Sequence, residues 1–559
     1  MKSEILREKF LEFFKKKGHV VVPSASLTPE NDPTSLFTTA GMQQFKRFYL
    51  HPDEASAKSI VTIQSCLRTS DIDEVGDESH LTFFEMLGNF SFNDYFKKEA
   101  IADAFYFLTD PKWLSIDKKR VSATFFGGEK EIKEDKESLA ELKKIKGLKE
   151  IKPQGFAENF WSLGQDGSPG GPTVEFYIDD IEVWNLVFNE YILENGKYVP
   201  VKNRGVDTGM GLERLAVILQ KAENIYHTDL FSLAHEKLMK FLGRENVRAQ
   251  RVILDHIRAA VFLLFENVLP SNKEQGYVLR RLIRKAMIQG KKVLARNGFI
   301  KEVALAFIYT YKDVFPKLFV KRFQITKELD EEINKFSKTL ALGLKEFDRH
   351  KENLSGEVAF NLYQTFGFPF ELTIDLAKEA RIKIDKKEFE KLLKKHQELS
   401  RSTSAGMFKG GLVSGGEQET KLHTATHLLL AALKQVVSKD IKQRGSNITK
   451  ERLRFDFNYP EKLSDKQIKK VADLVNEKIS ADLPVIMKEM SLEAAKKSGA
   501  VGIFDSKYGD CVKIYKIGDF SREICGGPHV THTGALGSFV IIKEESSSAG
   551  IRRIKAILK

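Results

Sequence analysis

The stretch VDTGMGLERLAVIL, residues 206–219, constrains the fold of this 559-residue chain more than any other. We interpret it as a turn of acid and glycine, Asp207 to Gly209, that leads into an apolar helix. Two glycines at a strand-to-helix junction let the backbone approach a flat ligand, and the start of a helix offers unpaired N–H groups to negative charge. Arg214, one turn into the helix, can stack on a base or bind a phosphate, and Asp207 can accept a cationic group. An isolated GxGxxR sequence is weak support for a site, so this interpretation depends on the rest of the chain.

Composition restricts the class of protein. The chain is too long for one core, so three or four domains are expected. With 42% hydrophobic and 30% charged residues, it is typical of a soluble globular protein, and no apolar run is long enough to span a bilayer. The net charge of +12 favours a polyanionic partner such as nucleic acid, although a Lys-rich genome gives the same sign.

The N-terminus and the cysteines indicate the compartment. The first 19 residues predict a charged amphipathic helix, which is neither a signal peptide nor a transit peptide. Three cysteines, Cys66, Cys511 and Cys525, are too few for a disulfide framework and suit a reducing cytoplasm. We therefore expect a cytoplasmic protein that does not associate with a membrane.

Two segments predict an antiparallel hairpin: IVTIQSCLRTS, residues 60–70, and HLTFFEMLGNFSFNDYF, residues 80–96. An acid-rich turn separates them, and their phenylalanines are expected in the core. An apolar hairpin has no need of Arg68 and Glu85, so we assign both to a ligand.

Polar residues in the next segments leave two interpretations open. Trp161 precedes a Gly/Pro loop, and the strand predicted at residues 183–193 carries Asn185 and Asn189 among apolar residues. An asparagine in a buried strand needs partners, which are either neighbouring core groups or a polar substrate. The Lys-rich segment 130–149 is interpreted as a solvated surface.

Four stretches occur in order within the first 220 residues: NDPTSLFTTAGMQQF, TFFEMLGNFSFNDYF, WNLVF and VDTGMGLER. Together they resemble the catalytic domain of class II aminoacyl-tRNA synthetases, specifically of the alanyl family. The resemblance implies an antiparallel sheet flanked by helices that binds ATP with Mg²⁺. Asp207 would pair with the α-ammonium of alanine, Arg68 would bind the α-phosphate, and Arg214 would stack on adenine. The expected ATP site is Arg68, Glu85, Gly211 and Arg214, and the expected alanine pocket is Trp161, Asn185, Asp207 and Gly209.

The chain departs from the family pattern at one loop. TSDIDEVGDES follows Arg68 where the family usually has a longer loop, and Leu81 stands where it has a second histidine. A small pocket of this kind excludes glycine and serine poorly, because one methylene or hydroxyl changes binding by only about 1–3 kcal/mol.

Residues 231–400 repeat apolar positions every three or four residues and predict a helical domain. A basic cluster within it, Arg280, Arg281, Arg284 and Lys285, indicates either an RNA-binding surface or a solvated face. The family resemblance implies that Asn272 and residue 364 read the G·U wobble pair of the acceptor stem. Gln364 replaces the usual aspartate and lacks its fixed charge. The expected tRNA-binding residues are Asn272, Arg280, Arg281 and Gln364.

The last part of the chain predicts a metal site. His423 and His427 are four residues apart on a predicted helix and therefore share a face. Cys525 and His529 flank a Gly/Pro turn that can bring both side chains to one point, and three histidines with one cysteine suit tetrahedral Zn²⁺. The stretches HTATHLL, RFDF, GDFSREICGGPH and AGIRRI resemble the editing domain of the same family. The resemblance implies hydrolysis of serine or glycine wrongly esterified to the tRNA, with Gln443 as a substrate contact.

The sequence thus predicts an α+β multidomain protein. The expected parts are a catalytic domain (1–230), a helical tRNA-recognition domain (231–400), a linker (401–420) and a zinc-dependent editing domain (421–559). We expect an alanine-activating ligase whose partners are ATP, L-alanine and tRNA(Ala), and a monomer, since the chain ends where the family often continues into a dimerisation region. Two alternatives are a deacylase with an impaired activation site and a non-catalytic RNA-binding protein.

Overall fold

A computed structural model describes residues 1–29, 35–129, 131–162, 164–405, 416–500, 511–548 and 550–559. The described chain forms two compact units. The first contains residues 1–352 and 362–376, and the second contains residues 353–361 and 377–559. The predicted domain boundaries at residues 230 and 400 fall inside these units. Within the described residues, no helix combines the length and the apolar composition needed to cross a bilayer.

A nine-stranded sheet forms the centre of the first unit. Its strands are β1 Val20–Val21, β2 Ser59–Leu67, β3 Phe83–Phe92, β4 Val121–Phe126, β5 Ile151–Gln154, β6 Phe160–Ser162, β7 Pro169–Ile178, β8 Ile181–Glu194 and β9 Lys197–Gly211. Their spatial order is β1-β2-β3-β9-β8-β7-β4-β5, and β6 pairs with β7. The pairs β1–β2 and β4–β5 are parallel, whereas the other described pairs are antiparallel. The expected antiparallel sheet is thereby confirmed.

The predicted hairpin is confirmed as β2 and β3, which pair from Ser59 opposite Ser91 to Leu67 opposite Phe83. Side chains alternate between the two faces of a strand, so Phe83 and Phe84 point to opposite sides. Phe83 is fully buried, and Phe84 faces a cavity that is described below.

The predicted turn at residues 207–209 is wrong, because β9 continues to Gly211. Asp207 lies opposite Val187, and Gly209 lies opposite Asn185, both on β8. Aspartate and glycine are depleted in strands, which made the sequence resemble a turn. The strand nevertheless ends at the predicted helix, which begins at Leu212.

Helices surround the sheet and extend beyond it in the first unit. α1 Ser3–Lys16 confirms the predicted N-terminal helix and buries Phe10, Phe13 and Phe14. The other helices up to residue 352 are α2 Lys46–Leu50, α3 Lys97–Thr109, α4 Lys136–Lys144, α5 Phe156–Asn159, α6 Leu212–Gln220, α7 Ser232–Met239, α8 Val247–Phe265, α9 Glu274–Lys292, α10 Phe299–Thr310, α11 Pro316–Val320 and α12 Arg322–Arg349. α8 packs on β3, and α9 packs on α8, so the helices after residue 231 belong to the same compact unit as the sheet.

Three further helices follow: α13 Gly356–Phe366, α14 Phe370–Glu379 and α15 Lys386–Ala405. The predicted linker at 401–420 is shorter than expected, since α15 reaches Ala405 and the next helix, α16, begins at Glu417. Residues 406–415 of that linker lie outside the described residues.

The second unit has a core of two helices against a small sheet. The remaining elements are α16 Glu417–Val436, α17 Asp465–Ser480, α18 Leu492–Lys497, β10 Gln443–Ile448, β11 Leu453–Asn458, β12 Val485–Ser491, β13 Cys511–Ile517, β14 Ser521–Ile524, β15 Phe539–Ser548 and β16 Ile551–Leu558. Two sheets form, in the orders β10-β11-β16-β15 and β12-β13-β14. Leu428, Leu429, Phe455 and Phe457 are fully buried in the core between α16, α17 and the larger sheet.

Candidate active site and metal centre

A cavity of about 260 Å³ lies on one face of the large sheet in the first unit, and we call it the sheet cavity. Strands β3, β6, β8 and β9, the loop between β2 and β3 and the start of α6 contribute to it. All residues expected in the ATP site and the alanine pocket line this cavity except Glu85. They are Arg68, Trp161, Asn185, Asp207, Gly209, Gly211 and Arg214.

Glu85, which the sequence assigned to a ligand, is not among the residues that line this cavity. Glu85 lies between Phe84 and Met86 on β3, and those two neighbours line the cavity while Glu85 points to the opposite side. There it is 1% exposed, and its Oε1 accepts a hydrogen bond from Arg7 Nε of α1 at 2.9 Å. The glutamate therefore joins α1 to the sheet.

Asp207 is the least compensated charge in the cavity. Its side chain is 6% exposed, and among the described residues none forms a hydrogen bond or ion pair with the carboxylate. Burial alone raises the pKa of Asp207 to about 7. A buried carboxylate without a partner is costly, and a cationic group placed in the cavity would remove that cost.

Asn185 faces the cavity beside Asp207 but has a partner on one side. Its Nδ2 donates to Glu175 Oε1 on β7 at 3.2 Å, and its buried Oδ1 has no hydrogen-bond partner among the described residues. Burial raises the pKa of Glu175 to about 7, although Tyr177 Oη donates to its Oε2 at 2.6 Å.

Two arginines face the cavity with only part of their donors engaged. Arg68 Nε donates to the Thr39 carbonyl at 3.2 Å, and its guanidinium lies 5.0 Å from the centre of the Phe84 ring. Arg214 Nη1 pairs with Glu182 Oε2 at 2.9 Å. Among the described residues, the remaining N–H groups of both arginines have no recorded partner and could bind an anion.

The short loop after Arg68 also reaches the cavity. Its first residues form a 3₁₀ turn, Ser70–Asp73, and Asp71, Ser79 and His80 are among the lining residues.

The basic cluster on α9 is paired within the first unit instead of forming a free surface. Arg284 Nη2 and Arg280 Nε lie 2.7 Å and 3.3 Å from Glu332 Oε1. Arg280 Nη1 also donates to Asn272 Oδ1. Asn272 and Arg280, both expected to bind tRNA, are thus in contact with each other.

The other two cations of the cluster pair with different acids. Arg281 Nη2 and Lys285 Nζ lie 2.9 Å and 3.1 Å from Asp73 Oδ1 in the loop that follows Arg68. Lys285 also lies 3.2 Å from Asp375 Oδ2. Gln364 is exposed on α13.

Four side chains of the second unit converge, and we call them the His–Cys cluster: His423, His427, Cys525 and His529. One ligand atom from each lies within 4.8 Å of the others. α16 places the two histidines on one face, and the turn after β14 returns Cys525 and His529 to that face. The predicted convergence of two helix histidines with CxxxH is confirmed.

The second ring nitrogen of each histidine has its own contact. His423 Nδ1 lies 3.0 Å from the Pro528 carbonyl oxygen, His427 Nδ1 lies 2.6 Å from Glu523 Oε2, and His529 Nδ1 lies 3.2 Å from Thr424 Oγ1. These contacts leave the three Nε2 atoms directed at the centre of the cluster, and among the described residues no group forms a hydrogen bond with the buried His529 Nε2. Such outer contacts fix ring tautomer and orientation in metal sites.

The electrostatics of the cluster favour a thiolate. Burial would raise the pKa of Cys525, but the three surrounding imidazoles lower it to about 2. Burial opposes a charge on His427 as well, yet Glu523 raises the pKa of that ring to about 10. A deprotonated thiol and three imidazole nitrogens are a donor set of the kind that suits a divalent metal.

Several residues of these sites were not found from the sequence. Glu175 and Glu182 could not be placed without the register of β7, β8 and α6. Glu523 offered a signal, because it stands two positions before Cys525 in an extended segment and residues i and i+2 share a face. Gln443 is found at the first position of β10, and no described contact joins it to the His–Cys cluster.

Comparisons with known proteins point to the same family along the chain. A family model described as tRNA synthetases class II (A) matches residues 5–442, and one described as the threonyl and alanyl tRNA synthetase second additional domain matches residues 512–555. The chain is 43% identical to the alanine–tRNA ligase of Treponema pallidum (strain Nichols), over 100% of this chain and 98% of the relative. It is 44% identical to the alanine–tRNA ligase of Borrelia hermsii (strain HS1 / DAH), over 100% of both chains. The alanine–tRNA ligase of Caldicellulosiruptor saccharolyticus is 35% identical, over 100% of this chain and 79% of the relative.

Proposed function

The chain belongs to the alanine–tRNA ligase family of class II tRNA synthetases, and from this premise we propose that it activates alanine with ATP, transfers it to tRNA(Ala) and hydrolyses mischarged Ser-tRNA and Gly-tRNA. The sheet cavity of the first unit would perform the activation, and the second unit would perform the hydrolysis. The observation that carries the first part is the buried carboxylate of Asp207, which has no partner among the described residues.

Asp207 and Asn185 would bind the α-ammonium of alanine. The carboxylate supplies the compensating charge, and the unpartnered Asn185 Oδ1 supplies a second acceptor. Trp161 and Gly209, which line the same cavity, would surround the methyl group. A side chain at position 209 would meet Met86, since a Cβ built there lies 2.9 Å from its Sδ. The space for the substrate side chain is therefore small.

ATP enters as its Mg²⁺ complex, and Arg68 and Arg214 would hold it. In the reaction, a carboxylate oxygen of alanine attacks the α-phosphorus, the bond between the α-phosphorus and the α,β-bridging oxygen breaks, and pyrophosphate leaves with that oxygen. Negative charge develops on the phosphoryl oxygens, where the free donors of Arg68 stabilise it. Arg214 would stack on adenine while Glu182 fixes its guanidinium. The rest of the rate enhancement comes from holding the two reactants in line.

The cavity can reject large amino acids by volume but discriminates poorly against glycine and serine. One methylene or hydroxyl changes binding by about 1–3 kcal/mol. A second, hydrolytic site in the same chain meets this need.

The His–Cys cluster fits Zn²⁺, which His423, His427 and His529 would bind through Nε2 and Cys525 through Sγ. When bound, Zn²⁺ would supply a positive charge that helps to orient the aminoacyl-tRNA end. Four protein donors fill a tetrahedral set, which favours an orienting role over the generation of a hydroxide. Gln443 is retained as a proposed substrate contact.

For tRNA recognition, we propose Asn272, Arg280, Arg281 and Gln364. The contact between Arg280 and Asn272 supports this grouping, because it would present both side chains together to the acceptor stem.

Charging and editing assays test the proposal. The wild-type protein is expected to form Ala-tRNA(Ala) from alanine, ATP and tRNA(Ala), and to deacylate Ser-tRNA(Ala) faster than Ala-tRNA(Ala). A His423→Ala variant should charge alanine normally and accumulate Ser-tRNA(Ala) when given serine. Equal hydrolysis of Ser-tRNA(Ala) by the wild type and the variant would contradict the assignment of the His–Cys cluster to editing.

A further inference from the structure

A row of hydrogen-bonding side chains crosses the cavity face of the sheet in the first unit. The register places Thr124 of β4 opposite Glu175 of β7, Glu175 opposite Asn185 of β8, and Asn185 opposite Gly209 of β9. Residues opposite one another in a sheet project to the same face. The row therefore runs from the sheet interior to the sheet cavity, where Asn185 is its last side chain.

From this row we propose that Glu175 is a positioning residue for alanine binding: it fixes the orientation of the Asn185 amide so that Oδ1 faces the substrate ammonium. The inference rests on the proposed role of Asp207 and Asn185 in binding that ammonium.

The chemistry of the two groups sets the orientation. An ionised carboxylate can only accept hydrogen bonds, so the side of the asparagine amide that faces it must be the NH₂ group. The contact observed is that one, Asn185 Nδ2 to Glu175 Oε1 at 3.2 Å. With Nδ2 held there, Oδ1 is the amide atom without a hydrogen-bond partner among the described residues.

Glu175 is itself held in place. It is 6% exposed, and its second oxygen accepts from Tyr177 Oη at 2.6 Å and from Thr124 Oγ1 at 3.4 Å. These hydroxyl donors occupy Oε2 and leave Oε1 for Asn185. A carboxylate anchored on two strands can therefore align an amide on a third.

Without Glu175, the hydrogen bond that holds the Asn185 amide in this orientation would be lost. A flipped Asn185 would present two N–H donors to an ammonium group, which has donors and no acceptor. Substrate binding would weaken although Asn185 and Asp207 remain in place. The recognition affected is that of the ammonium, which alanine, glycine and serine share.

A double-mutant cycle in pyrophosphate exchange tests the inference. Glu175→Met is expected to raise the KM for alanine about tenfold or more, with kcat and the KM for ATP within about twofold. Glu175→Gln retains an acceptor and is expected to restore the wild-type KM for alanine. If Glu175 acts through Asn185, adding Glu175→Met to an Asn185→Ala enzyme should cause no further change in the KM for alanine. Tyr177→Phe is the comparison variant: it removes one anchor of Glu175 but leaves the contact to Asn185, so it is expected to raise the KM for alanine less than Glu175→Met does.

The outcomes separate this inference from the function on which it rests. If Asn185→Ala raises the KM and Glu175→Met does not, the positioning role is overturned and the alanine pocket stands. If neither Asn185→Ala nor Asp207→Asn affects the KM, the pocket itself is overturned. Equal increases in the KM for alanine and for ATP in Glu175→Met would indicate a general structural role and overturn the inference.

A measurement on the wild-type enzyme avoids any folding defect of Glu175→Met. A crystal structure with alanine bound should show Asn185 Nδ2 still on Glu175 and Oδ1 within about 3.2 Å of the ammonium nitrogen. A substrate atom or a water inserted between Asn185 and Glu175 would overturn the proposal.

Discussion

At the scale of single residues, three buried carboxyls of the sheet differ in their partners. Glu85 accepts from an arginine, Glu175 accepts from an amide and two hydroxyls, and Asp207 has no partner among the described residues. The sequence identified Asp207 through its glycine-rich neighbourhood. The sequence could not show that Glu85 points away from the cavity. Neighbouring side chains on a strand lie on opposite faces of the sheet, and which face lines the cavity depends on pairing with strands that are distant in the sequence.

The pKa values near 7 lead to a pH prediction. Below about pH 7, Asp207 takes up a proton and can no longer pair with an ammonium, and Glu175 titrates in the same range. We expect kcat/KM for alanine to fall as the pH is lowered from 8 to 6, since kcat/KM reports the free enzyme. The measurement is pyrophosphate exchange at several pH values, with the KM for ATP as the control.

Asp207→Asn sharpens this test. The variant should lose at least about 30-fold in kcat/KM for alanine at pH 8, because removing one partner of a buried charge pair costs about 2–5 kcal/mol. Its pH dependence should be shallower than that of the wild type. A profile that is flat between pH 6 and 8 in the wild type would refute the role of this carboxylate.

At the scale of elements, two glycines at the end of β9 have different surroundings. A Cβ built on Gly209 meets Met86 Sδ at 2.9 Å, whereas one built on Gly211 meets Arg214 side-chain atoms at an ordinary 3.7 Å. We expect Gly209→Ala to raise the KM for alanine about tenfold, because the added methyl group occupies the substrate volume, which corresponds to about 1.4 kcal/mol. The matched variant Gly211→Ala should leave the KM for alanine within about twofold. An equal effect of the two substitutions on that KM would contradict the location of the alanine pocket.

The helix α16 and the turn after β14 lead to a prediction about the metal. Glu523 contacts the outer nitrogen of His427 at 2.6 Å, so Glu523→Gln should weaken Zn²⁺ binding about 10- to 100-fold. Competition with a chelator of known affinity measures this without any enzymatic assay. Asp482→Asn is a suitable control, because Asp482 contacts the exposed His532 in a similar manner and lies outside the His–Cys cluster. A Zn²⁺ affinity that is unchanged in Glu523→Gln would exclude the orienting role of this carboxylate.

At the scale of the whole molecule, local pattern predicted several elements and the motifs that converge. The β2–β3 hairpin, α1, α6 and the convergence on the His–Cys cluster followed from periodicity and from spacings of three or four residues. The ion pairs of the basic cluster on α9 could not be predicted from local pattern, because the acidic partners are distant in the sequence. They are Asp73, Glu332 and Asp375. For the same reason the boundary expected at residue 230 is not a boundary between compact units. The monomeric state and the cytoplasmic location stay predictions.

Because the sheet cavity and the His–Cys cluster lie in separate compact units, we expect alanine activation and hydrolysis of mischarged tRNA to be separable. Removal of the metal by a chelator should abolish hydrolysis of Ser-tRNA(Ala) and leave alanine-dependent pyrophosphate exchange unchanged, provided that Mg²⁺ is restored in excess. The free chelator must be removed before the assay so that it does not compete for Mg²⁺. Loss of both activities together, with the fold intact by circular dichroism, would contradict a division of labour between the sheet cavity and the His–Cys cluster.

The most direct test of the central claim, that the sheet cavity activates alanine, is pyrophosphate exchange with each of the twenty amino acids in the presence of ATP and Mg²⁺. We expect strong exchange with alanine, weaker exchange with glycine and serine, and none with larger amino acids. The Asp207→Asn enzyme should lose most of the alanine-dependent exchange. Absence of exchange with every amino acid would contradict the claim and leave the second unit as a tRNA deacylase joined to a silent synthetase fold.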